Sequence, residues 1–240
     1  MATLDTQTDT DSDTEAELGK QQRQTSTDTV YLKIRSKILD NEFRPGMQVL
    51  EQELVKLFGV SRTPVREALI RLQNESLVEI IPRHGMRVRQ VSISDMEEIY
   101  QILTSLEATA AELATMRSPS AGELKPFEDA CVEMERALVA DDLEAWAAAD
   151  EAFHLHLLKL CGNGRIEGIV RKYWDQIHRA RYITLRLGPK PHDSVVEHRA
   201  IIEAMRRGDA DAAGSLFREH RTHGVRKQID TLKRFRLYEV

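Results

Sequence analysis

The chain has 240 residues and a net charge of −5, with 41% hydrophobic and 30% charged residues, the balance of a folded globular protein. No apolar run approaches the ~18–20 residues that cross a bilayer, and residues 1–29 hold no apolar stretch of the secretory kind, so neither a membrane span nor a leader is expected. Two cysteines, Cys131 and Cys161, make no disulfide framework in a chain this long and point to free thiols in a reducing cytoplasm, while 5% aromatics, 12 Gly and 7 Pro weigh against a β-rich fold.

Charge is unevenly distributed. Residues 1–29 carry seven acids against Lys20 and Arg23, residues 30–93 are net +4, and residues 94–240 are net −4. A small basic segment therefore lies between an acidic arm and a larger acidic domain, which admits nucleic acid as a partner where the whole-chain charge would not. The Thr/Asp/Gln/Ser-rich residues 1–27 have almost nothing to bury and are expected to be a disordered acidic tail.

Residues 28–92 read as three helices and two strands. Tyr31, Ile34 and Ile38 recur at helical spacing until Arg44-Pro45-Gly46. Leu50, Leu54, Leu57 and Phe58 outline a second helix, stopped by Gly59. Ser61 opens a third as a cap, Pro64 sits in its first turn, and Val65, Ala68, Leu69 and Leu72 form its core face. Val78–Ile81 and Met86–Arg89 follow as strands joined by the turn Pro82-Arg83-His84-Gly85.

From Ser94 onward the pattern is helical, in segments near 95–117, 120–140, 142–161, 165–187, 193–207 and 209–234. Six amphipathic helices with short connections imply an antiparallel bundle. The expected fold class is therefore mainly α, an N-terminal winged helix-turn-helix domain (28–92) followed by an all-helical domain (93–240) for metal or effector binding and dimerisation.

On the third helix, Arg62 and Arg66 lie four apart, opposite the core face and at its N-terminal end, where a recognition helix meets base edges. Arginine presents the paired donors that match O6 and N7 of guanine. Ser61 and Thr63 can donate to phosphate beside the free N–H groups of the helix start. Arg83 and His84 sit in the wing turn, and Arg87 and Arg89 share one face of the last strand.

The string Pro45-Gly46, Leu50-Glu51 through Leu54, Gly59-Val60-Ser61-Arg62-Thr63-Pro64-Val65-Arg66-Glu67-Ala68-Leu69, Leu72, Leu77-Val78 and Pro82-Arg83-His84-Gly85 closely resembles the GntR family of bacterial transcription regulators, over about 60 residues. The resemblance implies that Arg62, Thr63 and Arg66 contact DNA and that His84-Gly85 enters the minor groove; Ser61, Pro64 and Arg83 complete the expected DNA-binding set. Gln52 stands where some relatives carry a further DNA-contacting arginine, and Ser76 replaces the usual glycine before Leu77.

The helical domain carries a second pattern. Asp150 and His154 are four apart and stack on one helix face. His198 is ten residues before Gly208 and His220 twelve after it, which places each roughly 15–18 Å from the Gly208-Asp209 turn and level with the other in an antiparallel pair. His154 lies on the stripe of Leu157, Leu158 and Cys161, His198 on that of Val195, Ile201, Ile202 and Met205, and His220 on that of Leu216 and Phe217. Any one of these is equally a packed core histidine; three at matching depth with an aspartate point to a divalent transition metal, zinc foremost, with Ni, Mn or Fe also suited. His156 faces elsewhere, and His178, His192 and His223 read as surface groups.

Asp150-x-x-Phe153-His154, Gly162-Asn163, His198-x-x-Ile201-x-x-Ala204-Met205, Gly208-Asp209, Ala212 and His220 together resemble the FCD effector domain of the FadR subfamily, over about 140 residues. The resemblance implies metal ligation by Asp150, His154, His198 and His220, and a small effector, often a carboxylate, completing the coordination shell. Relatives usually carry an arginine four residues before the glutamate matching Glu107, where this chain has Leu103. Asn163, Arg179, Tyr182 and Arg186 are the candidates for a substitute effector-binding face, and a solvated helix face accounts for them equally well.

The expectation is a homodimeric regulator, a repressor first, binding a palindromic double-stranded operator under effector control, with no membrane partner. A metal that is itself the signal, or purely structural, is the alternative. A metal-dependent hydrolase is disfavoured: Glu151 points off the ligand face, and an enzyme has no use for a basic winged head.

Overall fold

The structure, a computed structural model, describes residues 26–240. The expected acidic tail lies outside the described residues except for Ser26 and Thr27, which already belong to the first helix.

The N-terminal unit comprises α1 (Ser26–Leu39), β1 (Gln48–Val49), α2 (Glu51–Phe58), α3 (Arg62–Asn74), β2 (Val78–Ile81) and β3 (Gly85–Val88). Val30, Ile34 and Ile38 of α1 close over Val65, Ala68, Leu69 and Leu72 of α3, all buried in one core with Met86 and Val88 of the sheet. The sheet has three strands in the order β1-β3-β2, all antiparallel, with Val49 opposite Met86 and Ile80 opposite Met86 on the other side. The expected two-stranded wing thus gains a third strand, whose two residues are too few to show period-2 alternation.

The second helix also differs from expectation. Leu54 is fully buried and Val55 and Phe58 pack beside it, whereas Leu50 and Leu57 are exposed. This short helix touches α3 and β3 along one narrow stripe, and the stripe that fits runs through Leu54 and Phe58, i and i+4. Gly59 ends it in the left-handed conformation at φ 66°, as the sequence predicts. Gly85 is a stricter requirement: a Cβ there would stand 2.1 Å from the Val49 carbonyl oxygen, so only glycine lets β1 close on the wing.

The C-terminal unit comprises α4 (Ile93–Met116), α5 (Ala121–Val139), α6 (Leu143–Leu160), α7 (Gly164–Leu187), α8 (His192–Arg206) and α9 (Ala210–Arg234). Five of the six helix starts carry a side-chain cap, and α8 instead follows Pro191. Ser92 and Ser120 form reciprocal caps with Asp95 and Glu123, and Asp142, Asn163 and Asp209 accept from first-turn N–H groups. Helices α4 and α9 pack along one another, α5 packs on α6, and α8 contacts both α5 and α9. Among the described residues, no helix is long and apolar enough to cross a membrane.

Two sets of contacts join the units. From α7, Asp175 accepts Nε and Nη2 of Arg35 at 2.7 and 2.5 Å, Gln176 Nε2 donates to the Glu75 carbonyl at 3.0 Å, and Arg179 Nη2 donates to the Arg89 carbonyl at 2.8 Å. Beyond α9, Val240 exchanges backbone bonds with Val91 at 2.9 and 3.1 Å, and Ile93 N–H donates to the Tyr238 carbonyl at 3.2 Å, so residues 237–240 strap the linker between the units.

Candidate functional site

At the head, Ser61 occupies the N-cap of α3 with extended backbone, but its hydroxyl makes no capping bond. It stays exposed beside Arg62, Thr63 and Arg66, together with the free N–H groups of the first turn. Pro64 differs: it is buried, so its role is to shape the helix start rather than to present a surface. Arg66 Nε donates to Glu51 Oε2 at 2.8 Å, and Arg62 Nε lies 3.9 Å from Glu51 Oε1. The bond to Glu51 raises the pKa of Arg66. Both guanidiniums are thus gathered by one carboxylate at the mouth of a cleft that Gln52, Arg83 and Gly85 also line. Arg83 has φ 67° in the turn, and His84 is exposed at its tip, its carbonyl accepting from Gln48 Nε2 at 3.2 Å. The structure brings the predicted head residues, apart from Pro64, to one surface.

The second site is walled by α6, α7 and α9, with α8 behind. His154 and Asp150 come from α6, His198 from α8 and His220 from α9, and one nitrogen from each imidazole lies within 4.8 Å of the others. The rings of His198 and His220 are 4.4 Å apart, so the two fall level as the helix count from Gly208 predicts. Asp150 Oδ1 is 3.8 Å from His154 Nε2 and 3.9 Å from His198 Nε2. All four side chains are buried.

Burial holds the pKa of His154 and of His198 well below the ordinary imidazole value, and the Arg221 guanidinium adds to the effect at His154. Neutral imidazole is the form that ligates a metal. Two outer carboxylates complete the arrangement. Glu197 Oε2 lies 2.8 Å from His220 Nδ1, and Glu107 Oε1 lies 3.4 Å from His154 Nδ1. With Nδ1–H of His220 directed at Glu197, its Nε2 keeps its lone pair for the centre, whereas Nδ1 of His154 lies 3.2 Å from the donor Arg221 Nη2, closer than Glu107. His154 Nε2 and both nitrogens of His198 are buried with no hydrogen-bond partner among the described residues. Such orphans are costly unless something binds them, and a cation among the three imidazoles, with Asp150 beside it, would take up one nitrogen of each ring. The residues therefore fit a divalent metal of borderline softness.

Beside this cluster opens a cavity of about 970 Å³, counting its open mouth. Arg181 and Arg221 line it: Arg181 Nη2 donates to Asp150 Oδ2 at 2.9 Å, and Arg221 Nη2 pairs with the fully buried Glu107. The two guanidiniums flank the Trp174 ring at 5.4 and 5.7 Å.

Of the four effector candidates from the sequence, only Tyr182 lines the cavity. Asn163 is used as the α7 cap, its Oδ1 accepting from Arg165 and Ile166 N–H; Arg179 is turned to the head; and Arg186 is bonded to Glu144 at the surface. Glu151 and His223, read as off the site, both line it, and His223 Nδ1 lies 2.8 Å from Glu197 Oε1. Sequence reasoning missed Arg181, Arg221 and Tyr100. The available signal was a charge on an apolar stripe: Arg181 continues Val170, Trp174 and Ile177, and Arg221 continues Ala213 and Phe217. Leu103 is fully buried core, so no guanidinium arises from that position.

The profile of the bacterial regulatory proteins of the gntR family matches residues 26–88, and that of the FCD domain matches residues 98–223, more than half of the chain. The chain is a GntR-family transcription regulator with an FCD domain. It is 35% identical over 221 residues to an HTH-type transcriptional regulator in an unstable DNA locus of Streptomyces ambofaciens, covering 90% of this chain and 88% of that one. It is 25% identical over 198 residues to the HTH-type transcriptional repressor RspR of Escherichia coli K12, covering 82% of this chain and 86% of the repressor. Among solved structures, E. coli McbR/YncC superposes with a TM-score of 0.72 at 18% identity, covering 88% of this chain and 99% of that one, a likeness of fold. The family places the chain among DNA-binding regulators rather than enzymes, and the winged head supplies the surface for that binding.

Proposed function

We propose that this GntR/FCD regulator is a cytoplasmic homodimer of the FadR subfamily that represses from a palindromic operator. Ser61, Arg62, Thr63, Arg66, Arg83, His84 and Gly85 read the DNA, and a small carboxylate effector controls operator affinity from the bundle. Asp150, His154, His198 and His220 would hold a divalent transition metal, zinc foremost, which would supply a Lewis-acid anchor for the anion. Repression is favoured by the similarity to RspR, and a two-fold dimer by the need to place two recognition helices on successive half-sites.

The observation that carries this reading is the position of α7. Its outer turns present Arg181 and Tyr182 to the cavity, and its middle turns grip the head through Asp175, Gln176 and Arg179. Arg181 is bonded to Asp150, so an anion arriving beside the metal competes for that guanidinium. Any rotation of α7 that follows is felt at Arg35, Glu75 and Arg89. Helix α9 forms a second route, from His220 through residues 237–240 to the linker at Val91. Coupling of this kind is reciprocal, so DNA changes effector affinity by the factor with which effector changes DNA affinity.

The test is the His198→Ala variant, measured for metal content by elemental mass spectrometry and for affinity to a DNA fragment selected by the wild-type protein. Lost metal with retained basal DNA binding and no carboxylate response supports the reading. Stoichiometric metal in the variant removes His198 from the ligand set. DNA affinity that tracks metal alone makes the metal the signal.

A further inference from the structure

We infer that Glu51 is a positioning residue for DNA reading: it holds Arg66, and with it Arg62, in the pose that meets a base edge, and it discriminates against binding to phosphate alone. The inference rests on the DNA-reading set proposed above and adds to it a carboxylate that acts through the arginines.

Glu51 is the first residue of α2, and Arg62 and Arg66 stand in the first two turns of α3. Its Oε2 accepts from Arg66 Nε at 2.8 Å, and its Oε1 lies 3.9 Å from Arg62 Nε. Neither guanidinium has another hydrogen-bond or ion-pair partner among the described residues, and both arginine side chains are 62% exposed. The bond at Nε leaves both Nη groups of Arg66 for a partner, and their paired N–H donors suit O6 and N7 of guanine. Helix capping does not account for this carboxylate. That task falls to Glu53, whose Oε2 accepts from the Leu50 N–H at 2.8 Å. What remains as a purely structural role is the small favourable interaction of a first-turn acid with the helix dipole.

A carboxylate amid a DNA-facing surface works against affinity for phosphates. Its effect differs between the two modes of binding. On unselected DNA a long arginine gains by bending to a phosphate, and the bond to Glu51 competes with that move. On the operator the guanidinium is already in place, so less of its rotamer freedom is lost when it meets a base. Glu51 therefore lowers affinity for unselected DNA and raises affinity for the operator. A merely structural role moves both in one direction.

The experiment is fluorescence anisotropy of the full-length wild type, Glu51→Gln, Arg66→Ala and the double variant. The probes are a DNA fragment selected by the wild-type protein and an unselected fragment of equal length, over a salt series. Glutamine keeps the size of the side chain and deletes its charge. Glu51→Gln is expected to bind the selected fragment about three- to tenfold more weakly. It is expected to bind the unselected fragment about two- to fivefold more tightly at low salt, with a gain that fades as salt rises, and to keep its thermal midpoint. In the Arg66→Ala background the same substitution is expected to weaken selected binding no further. Selection from a random pool by Glu51→Gln is expected to return a weaker preference for guanine. Equal changes on both fragments, with or without a lowered thermal midpoint, overturn the inference, as does a weakening that persists in full beside Arg66→Ala. Arg66→Ala binding both fragments as the wild type does overturns the DNA-reading set itself.

Discussion

The buried pair of Glu107 on α4 and Arg221 on α9 yields the sharpest stability prediction. Glu107 is fully buried and the Arg221 side chain is 7% exposed, so both charges are largely removed from water. One carboxylate oxygen, Oε2, has no hydrogen-bond partner among the described residues, and the other is shared between Arg221 and the neighbourhood of His154 Nδ1. Removing one partner strands the other charge in the core, which costs about 3–5 kcal/mol; removing both with apolar groups of similar volume costs far less. Glu107→Leu and Arg221→Met should each therefore lower stability by about 4 kcal/mol, roughly 10 °C in a chain of this size. The double variant should lie within about 2 kcal/mol of wild type. Urea unfolding of the metal-free protein gives the three numbers, and the cycle gives a large coupling energy. Single-variant losses that simply add in the double variant would refute the pairing.

Three further outcomes follow from the geometry. Arg66→Ala should lose specific operator affinity by roughly tenfold to a hundredfold while keeping its metal and its thermal midpoint, and unchanged mobility shifts would remove Arg66 from the reading set. Asp175→Ala, which unlocks Arg35, and Val240→Asp, which breaks the strap on Val91, should each blunt the response of DNA affinity to effector with effector affinity itself retained; an undiminished response in both would exclude these routes. His178 gives a pH signature: burial, with Arg181 and Arg35 nearby, lowers its pKa from 6.5 to about 4. The folded state thus favours the neutral ring, so this contribution is full above pH 6.5 and is lost as the pH falls towards 4, by up to about 2 kcal/mol. His178→Asn should flatten the stability profile over that interval, and an unaltered slope in urea titrations would assign it elsewhere.

The sequence revealed whatever local periodicity and turn chemistry determine. Val65, Ala68, Leu69 and Leu72 announce the core face of α3, and thereby the exposed face of Arg62 and Arg66. The short Gly208-Asp209 turn makes a residue count a measure of depth, which is why the His198–His220 pair was legible before any coordinates. What escaped was nonlocal. A two-residue strand at Gln48–Val49 exists only through its pairing with β3. Leu57 and Phe58 are adjacent and equally apolar, and only the packing partner decides which turns inward. Arg35 meets Asp175 across 140 residues, a contact that no helical period encodes. Arg181 and Arg221 were overlooked because charges on an apolar stripe read as errors in the stripe until a cavity is seen to need them. The family pattern drew attention to the arginine missing at Leu103, while this chain brings its guanidiniums from α7 and α9.

The most direct measurement of the central claim is a thermodynamic box: affinity for a cavity carboxylate measured by calorimetry with and without the selected operator DNA, on zinc-loaded and on chelator-treated protein. The account predicts that zinc-loaded protein binds the carboxylate several-fold more weakly on the operator than free, that operator affinity falls by the same factor when the carboxylate is saturating, and that chelation abolishes both effects. Carboxylate affinity that is identical on and off the operator, with zinc bound, would contradict it.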